Sequence, residues 1–326
     1  MRTASRSLLV VLLLASGQIA EAQQARKVPR IGYVFATTST ETSDIVKSIR
    51  EGFHDLGYVE GQSVTLEIRW AEGKVERLPA IVDQLVHAKV DVLVVATTPG
   101  ALAARNGTNT IPVVIVAVGD PVGSGLVASL ARPGGNLTGL SLLNPELHGK
   151  RLELLKETLP KISRVATLIN PGNPVHAEFL KETQAAAQRL ALRVQAVELR
   201  GPEDFANGFA AAASGHAGAI VAFDDPLTLG YPTKIVGLAS KYQLPAIYGF
   251  KEFPEVGGLM SYGANRRELY QRTTIFVDKI LKGAKPADLP IEQPKKFELI
   301  INLKSAKQIG LTIPPNVLAR ADRVIK

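Results

Sequence analysis

Residues 222–226 read Ala-Phe-Asp-Asp-Pro and set Asp224 and Asp225 side by side where the apolar run from Ala219 to Phe223 ends. Two carboxylates at a strand end suit a cation. A matching stretch, Thr97-Thr98-Pro99-Gly100, follows the apolar run from Val92 to Ala96 and offers two hydroxyls beside a helix N-terminus, which suits an anion. A molecule clamped between the two would be a zwitterion, as an amino acid is. An Asp before a Pro at a helix start is also an ordinary N-cap. Asp224 and Asp225 therefore each carry two readings, ligand contact or cap, and so does Thr98.

The other strand ends supply further candidates, because ligands of open parallel sheets bind beyond the carboxyl ends of the strands. They are Thr37 and Thr38 after the first strand, Gly119 and Asp120 after the fourth, Asn170 and Asn173 in Asn-Pro-Gly-Asn-Pro, and Tyr248 before Gly249. The glycine-rich loop from Gly119 to Gly125 lacks the lysine and the spacing of a nucleotide-binding loop and is a weak nucleotide signal, while its helix start can still donate to a carboxylate. Asp120 there is either a ligand contact or a brace for its own turn. Tyr33, Phe35, Phe223, Tyr248, Phe250 and Tyr262 gather near strand ends in a chain only 6% aromatic, which hints at stacking on an apolar or aromatic group. Taken singly, Tyr33 and Phe223 fit core packing, and Trp70 reads as structural.

Catalysis finds little support. The five histidines, His54, His87, His148, His176 and His216, lie singly without metal-ligand spacing, and there is neither a Gly-x-Ser-x-Gly elbow nor a cysteine. No catalytic residue, metal or cofactor is expected. Asn106 and Asn136 begin formal glycosylation triplets, a pattern common by chance.

The elements that must hold these residues follow from periodicity. Short β-branched runs alternate with amphipathic stretches from Arg30 onward, the mark of βαβ units and parallel sheets. Strands are predicted at 31–36, 64–70, 90–96, 113–118, 137–142, 164–169, 194–199, 219–223, 246–250, 259–263 and 297–303. Helices are predicted at 43–56, 78–87, 100–105, 145–158, 175–190, 202–213, 228–242 and 266–281. The series repeats: Val92 to Pro99 aligns with Ala219 to Pro226, and each is followed by a helix and then by Ile111-Pro112 or Leu244-Pro245. The fold class is α/β, two Rossmann-like lobes joined by a multi-strand hinge.

Length and composition allow this. The 326 residues, 46% hydrophobic and 21% charged, suffice for two compact lobes. Arg2, Arg6, the apolar stretch from Leu8 to Ala15 and Ala20-Glu21-Ala22 read as a secretory signal peptide over residues 1–22, cut after Ala22, because the apolar run falls short of a membrane span. The chain is thereby expected in the periplasm. It has no cysteine, so disulfides, cysteine zinc sites and a lipidated N-terminal cysteine are excluded. Loss of Arg2, Arg6 and Glu21 changes 38 basic and 30 acidic residues to 36 and 29. The remaining bases are scattered, which argues against nucleic-acid binding.

Several stretches together resemble the ABC transporter substrate-binding proteins of the tryptophan/tyrosine-type group. They are residues 119–127, 132–139, Leu244 to Gly249, Gly257-Gly258-Leu259-Met260-Ser261-Tyr262-Gly263 and Pro294 to Lys304. The resemblance spans essentially the whole mature chain. It implies a type I periplasmic binding protein fold with three crossovers: one lobe of 28–142 plus 264–290, the other of 143–263 plus 291–326, hinged near 142–145 and 286–294. It implies capture of a small solute, an amino acid or related zwitterion with aromatic ones among the candidates, and delivery to a membrane permease with a separate ATPase, as a monomer. Amino-acid binders of the wider group hold the carboxylate with hydroxyls and N–H groups of the first lobe and the ammonium with an acid of the second, roles that Thr97, Thr98, Gly119, Asp224 and Asp225 match by position. Where relatives read Asp-Asn this chain reads Asp224-Asp225, which leaves a more cationic or a polyhydroxy solute open. A sensor for a membrane receptor and an exported α/β enzyme are the alternatives.

Overall fold

A computed structural model describes residues 27–40, 42–142 and 144–326. The signal-peptide expectation and part of the expected hinge at 142–145 lie outside them. The described residues contain twelve strands in two sheets. The first contains β1 (Arg30–Phe35), β2 (Thr65–Trp70), β3 (Val92–Ala96), β4 (Val113–Val118) and β5 (Leu137–Ser141) in the order β2-β1-β3-β4-β5, all parallel. The second contains β6 (Arg164–Ile169), β7 (Arg193–Glu198), β8 (Ile220–Ala222), β9 (Ala246–Tyr248), β10 (Met260–Gly263), β11 (Glu298–Asn302) and β12 (Arg323–Ile325) in the order β12-β11-β10-β9-β8-β6-β7. Among the described strands, the β10–β11 pairing is antiparallel and the rest are parallel.

The repeat seen in sequence is a repeat of topology. β7-β6-β8-β9-β10 reproduces the order β2-β1-β3-β4-β5, so β8 stands where β3 stands and Asp224 follows the one as Thr97 follows the other. Strands flanked by helices on both faces must be apolar throughout. Every residue of β3 and β8 is accordingly buried.

Helices α1 (Ser43–Asp55), α2 (Leu78–His87) and α3 (Thr97–Gly107) cover the first sheet; α4 (Asn144–Thr158), α5 (His176–Arg189), α6 (Asp204–Ser214), α7 (Pro226–Leu229), α8 (Pro232–Lys241) and α9 (Glu252–Glu255) belong to the second. The chain then returns: α10 (Arg266–Leu281) packs along α1 and against β3, β4 and β5. After it, Glu292 lies beside β5, its N–H donating to Gly139 O and its carbonyl accepting from Ser141 N, each at 2.9 Å, before β11 enters the second sheet. Among the described residues the chain thus passes between the sheets at 263–266 and 292–298, and β5 of the first sheet is followed by α4 of the second.

Two expectations change. The single helix over 228–242 is two, α7 and α8, because Pro232 lacks an N–H and displaces Tyr231 from helical backbone (φ −140°, ψ 47°). The tail after β11, which carries no sequence assignment, forms α11 (Leu303–Gln308) and α12 (Pro315–Leu318), and β12 pairs with β11 as the outer strand. Its apolar residues Ile313 and Val317 are buried against β11 and α4 residues.

Candidate ligand-binding site

The carboxyl ends of both sheets face one cleft of about 450 Å³, counting its mouth. Thr97, Thr98, Ala117 and Gly119 line it from the first sheet; Asn173, Asp224, Asp225 and Pro226 line it from the second. Apolar and aromatic walls come from Leu142, Val175, Phe179, Leu229, Phe250 and Tyr270.

On the first wall α3 begins directly at Thr97, not near Gly100. Thr97 has φ +68°, the left-handed region that a β-branched residue enters only under strain. Its Oγ1 is buried without a hydrogen-bond partner. Neither threonine caps the helix by its side chain. Thr98 Oγ1 instead accepts from Gly119 N at 3.4 Å, tying the ends of β3 and β4 together. The register of β4 with β5 shifts between Ile115 and Val118, with Ala117 at φ +56°, and this irregularity brings Gly119 to the cleft.

On the second wall the two aspartates have different surroundings. Asp225 is the N-cap of α7: its Oδ1 accepts from Leu227 N at 2.8 Å and from Asn170 Nδ2 at 3.1 Å. Its Oδ2 accepts from Asn173 Nδ2 at 2.8 Å and lies 3.6 Å from His176 Nε2. Asp224 is not the cap. Its Oδ2 pairs with Arg151 Nη2 at 2.9 Å, and the two side chains are only 5% and 1% exposed. Arg151 Nε also donates to Tyr262 O at 2.8 Å, while Nη1 has no partner. Gly249 makes the pair possible: a Cβ there would overlap Asp224 Oδ1 and come within 2.6 Å of Arg151 Nη2.

Behind this wall lie two buried histidines. His176 Nδ1 accepts from Asn170 N at 2.8 Å, so its proton sits on Nε2, toward Asp224 O at 3.5 Å and Asp225. Burial lowers the pKa of His176 below its ordinary value, with Asp225 partly opposing the shift. His148 packs 4.2 Å from the Phe223 ring and 4.9 Å from Phe179, with no partner on either nitrogen, and burial holds its pKa well below 6.5. With both imidazoles neutral, two aspartates face one arginine, and the wall carries one net negative charge. At the far end, Arg266 Nη1 donates to Glu252 Oε1 at 2.8 Å and its guanidinium lies 5.3 Å from the Phe250 ring centre, a locally neutral pair.

Of the residues singled out from sequence, Thr97, Thr98, Gly119, Asn173, Asp224 and Asp225 meet at the cleft. Asp120 braces its own turn, Oδ1 accepting from Val122 N at 3.0 Å and Gly123 N at 2.9 Å. Asn170 stands behind the wall, bonded to Asp225 and to Gly172 N. Tyr248 is wholly buried and stacks on Phe253 at 4.3 Å, away from the lining. Thr37 is buried and Thr38 half-buried at the end of β1, and neither lines the cleft; Thr42 Oγ1 donates to Thr38 O and accepts from Trp70 Nε1. Sequence reasoning missed Arg151, His148, His176, Phe179, Arg266 and Tyr270. Among the described residues no group of histidine, aspartate and glutamate is placed to hold a metal ion, and no helix is long and apolar enough to cross a membrane.

Residues 36–325 match the family described as ABC transporter substrate binding protein. The tyrosine-binding protein of Clostridioides difficile is 25% identical over 266 residues, which cover 81% of this chain and 76% of that protein. Two solved structures are 29% identical. One, a conserved domain protein from Vibrio cholerae, has a TM-score of 0.86 and covers 91% of this chain and all of its own. The other, an ABC domain from Streptococcus pneumoniae in complex with L-Trp, has a TM-score of 0.83 and covers 90% of this chain and all of its own.

Proposed function

The chain belongs to the ABC transporter substrate-binding protein family, which binds solutes and does not transform them, and from that premise we propose that it captures a zwitterionic amino acid with an apolar or aromatic side chain. In this reading the lobes 28–142 plus 264–290 and 143–263 plus 291–326 close on the solute, and a membrane permease with its own ATPase takes it up. Ligand contacts made to both lobes favour the closed form, and closure is what the permease reads. The signal peptide over residues 1–22 carries the protein to the periplasm.

One observation carries the ligand class. Two buried polar atoms without partners belong to residues of opposite walls of one cleft: Thr97 Oγ1, which can donate, and Asn173 Oδ1, which can only accept. Buried polar groups are rarely left unpaired unless a ligand or water completes them. The ligand carboxylate goes to Thr97 and the N–H groups at the start of α3. Its ammonium goes to Asn173 Oδ1 and the free oxygen of Asp224. The surplus negative charge of that wall favours the ammonium, and Phe179, Phe250 and Tyr270 receive the side chain. The tyrosine and tryptophan relatives support an aromatic one.

The test is calorimetry on refolded, ligand-stripped protein with L-tyrosine, L-tryptophan, L-phenylalanine, their des-amino acids, their decarboxylated amines, sugars and polyamines. Binding of aromatic amino acids, lost when either the amine or the carboxylate is removed, is the expected result. Binding of a sugar alone would end this assignment while leaving the two-lobe binder in place.

A further inference from the structure

A second acid at the cleft wall would ordinarily widen the choice of ligand toward dications, such as basic amino acids and polyamines. Asp224 does not act as a free acid, however. Arg151 reaches it from α4, buried beneath the ends of β8, β9 and β10, and holds Oδ2 at 2.9 Å. Two glycines make room for that guanidinium: a Cβ on Gly249 would stand 2.6 Å from Nη2 and one on Gly263 would stand 3.3 Å from it. The nearby histidines add no charge, since His148 and His176 are both buried and neutral. One more positive group, Arg266, lines the cleft but is engaged by Glu252. Resting on the amino-acid reading above, we propose that Arg151 is a specificity-determining residue: by cancelling the charge of Asp224 from behind, it restricts the cleft to ligands with a single positive charge.

The geometry separates this role from a merely structural one. Arg151 already has a structural partner in Tyr262 O, through Nε at 2.8 Å. Its Nη2 is spent on Asp224, a carboxylate that borders the cleft, and Nη1 is spent on nothing. In a poorly solvated site, a full charge within bonding reach of Asp224 changes the potential felt by the ligand far more than a surface charge does. Arg151 touches no ligand and acts through Asp224.

The experiment compares the affinities of L-tyrosine, L-lysine, L-arginine and putrescine for the wild type, Arg151→Met and Arg151→Lys. The ratio of dication to L-tyrosine affinity should rise at least about tenfold in Arg151→Met and stay within about threefold of wild type in Arg151→Lys. Since Arg151→Met leaves a buried carboxylate uncompensated and can lose its fold, Asp224→Asn supplies the converse arm. There Arg151 keeps its charge against a neutral amide, and the affinity ratio of 3-(4-hydroxyphenyl)propionate to L-tyrosine should rise about tenfold or more. Unchanged dication ratios in the folded Arg151 variants overturn the inference while leaving the amino-acid reading intact; an unchanged ratio in Asp224→Asn overturns the inference and also removes Asp224 from the ammonium site. A wild type that binds no amino acid overturns that reading, and this inference with it.

Discussion

Asn173 donates to Asp225 Oδ2 at 2.8 Å and thereby leaves its own Oδ1 buried and unpaired at the cleft wall. The aspartate that caps α7 thus also orients the amide at the cleft wall, so the cap and the cleft lining share one network. Asn173→Ala removes an acceptor that a buried ammonium would use, a bond worth about 1.5–3 kcal/mol. Affinity for the amino acid should fall roughly 10- to 100-fold. Asn170→Ala also strips a donor from Asp225 but no unpaired atom from the cleft, so its affinity should stay within about threefold. Equal losses in the two variants would mean that the network only holds the fold.

Thr97 gives a split between stability and binding. Its hydroxyl is buried and unpaired, and its backbone sits at φ +68°. Thr97→Val keeps the branched shape and the backbone strain and removes only the hydroxyl. Because an unsatisfied polar atom costs stability, the urea midpoint should hold or rise, while affinity drops about tenfold with the loss of one hydrogen bond to a carboxylate. A variant that binds as well as wild type would remove Thr97 from the carboxylate site.

Two glycine substitutions should move in opposite directions. Gly249→Ala forces a methyl into the Asp224 carboxylate and the Arg151 guanidinium, and overpacking of this kind costs about 1–3 kcal/mol. Ligand binding should go with it, since Asp224 must shift. Gly237 lies exposed within α8, and a methyl group added there would meet nothing within 4 Å, so Gly237→Ala should stabilise by about 0.5–1 kcal/mol and leave affinity alone. Thermal melts with and without ligand measure both effects.

The strands and the paired cleft walls were legible because they rest on short-range signals. β-branched runs mark buried parallel strands, and the alignment of Val92–Pro99 with Ala219–Pro226 is enough to place Thr97 opposite Asp224. The charge balance was not legible, since Arg151 meets Asp224 across 73 residues of chain. One local sign of it exists: Leu147, His148, Arg151, Leu152, Leu154, Leu155 and Thr158 are buried along α4, and an arginine within such a stripe requires a partner. Tyr248 failed as a cleft residue for a similar reason. Position at a strand end cannot tell which face a ring takes, and its ring stacks on Phe253.

The buried imidazoles make stability depend on pH with a definite sign. His148 and His176 have pKa values lowered by burial, whereas in the unfolded chain they return to about 6.5. Above pH 6.5 neither state binds the protons and stability is full; below it the unfolded chain takes them up first, and stability is lost as pH falls. Each histidine contributes a slope of up to about 1.4 kcal/mol per pH unit in that window. His148→Leu removes one of the two groups without touching the cleft lining. Between pH 7.5 and 5.5 its urea midpoint should therefore fall by clearly less than that of the wild type, whatever its absolute stability. Parallel pH profiles for the two proteins would mean that His148 titrates in the folded protein as it does in the unfolded chain, which its burial between Phe179 and Phe223 without any acceptor opposes.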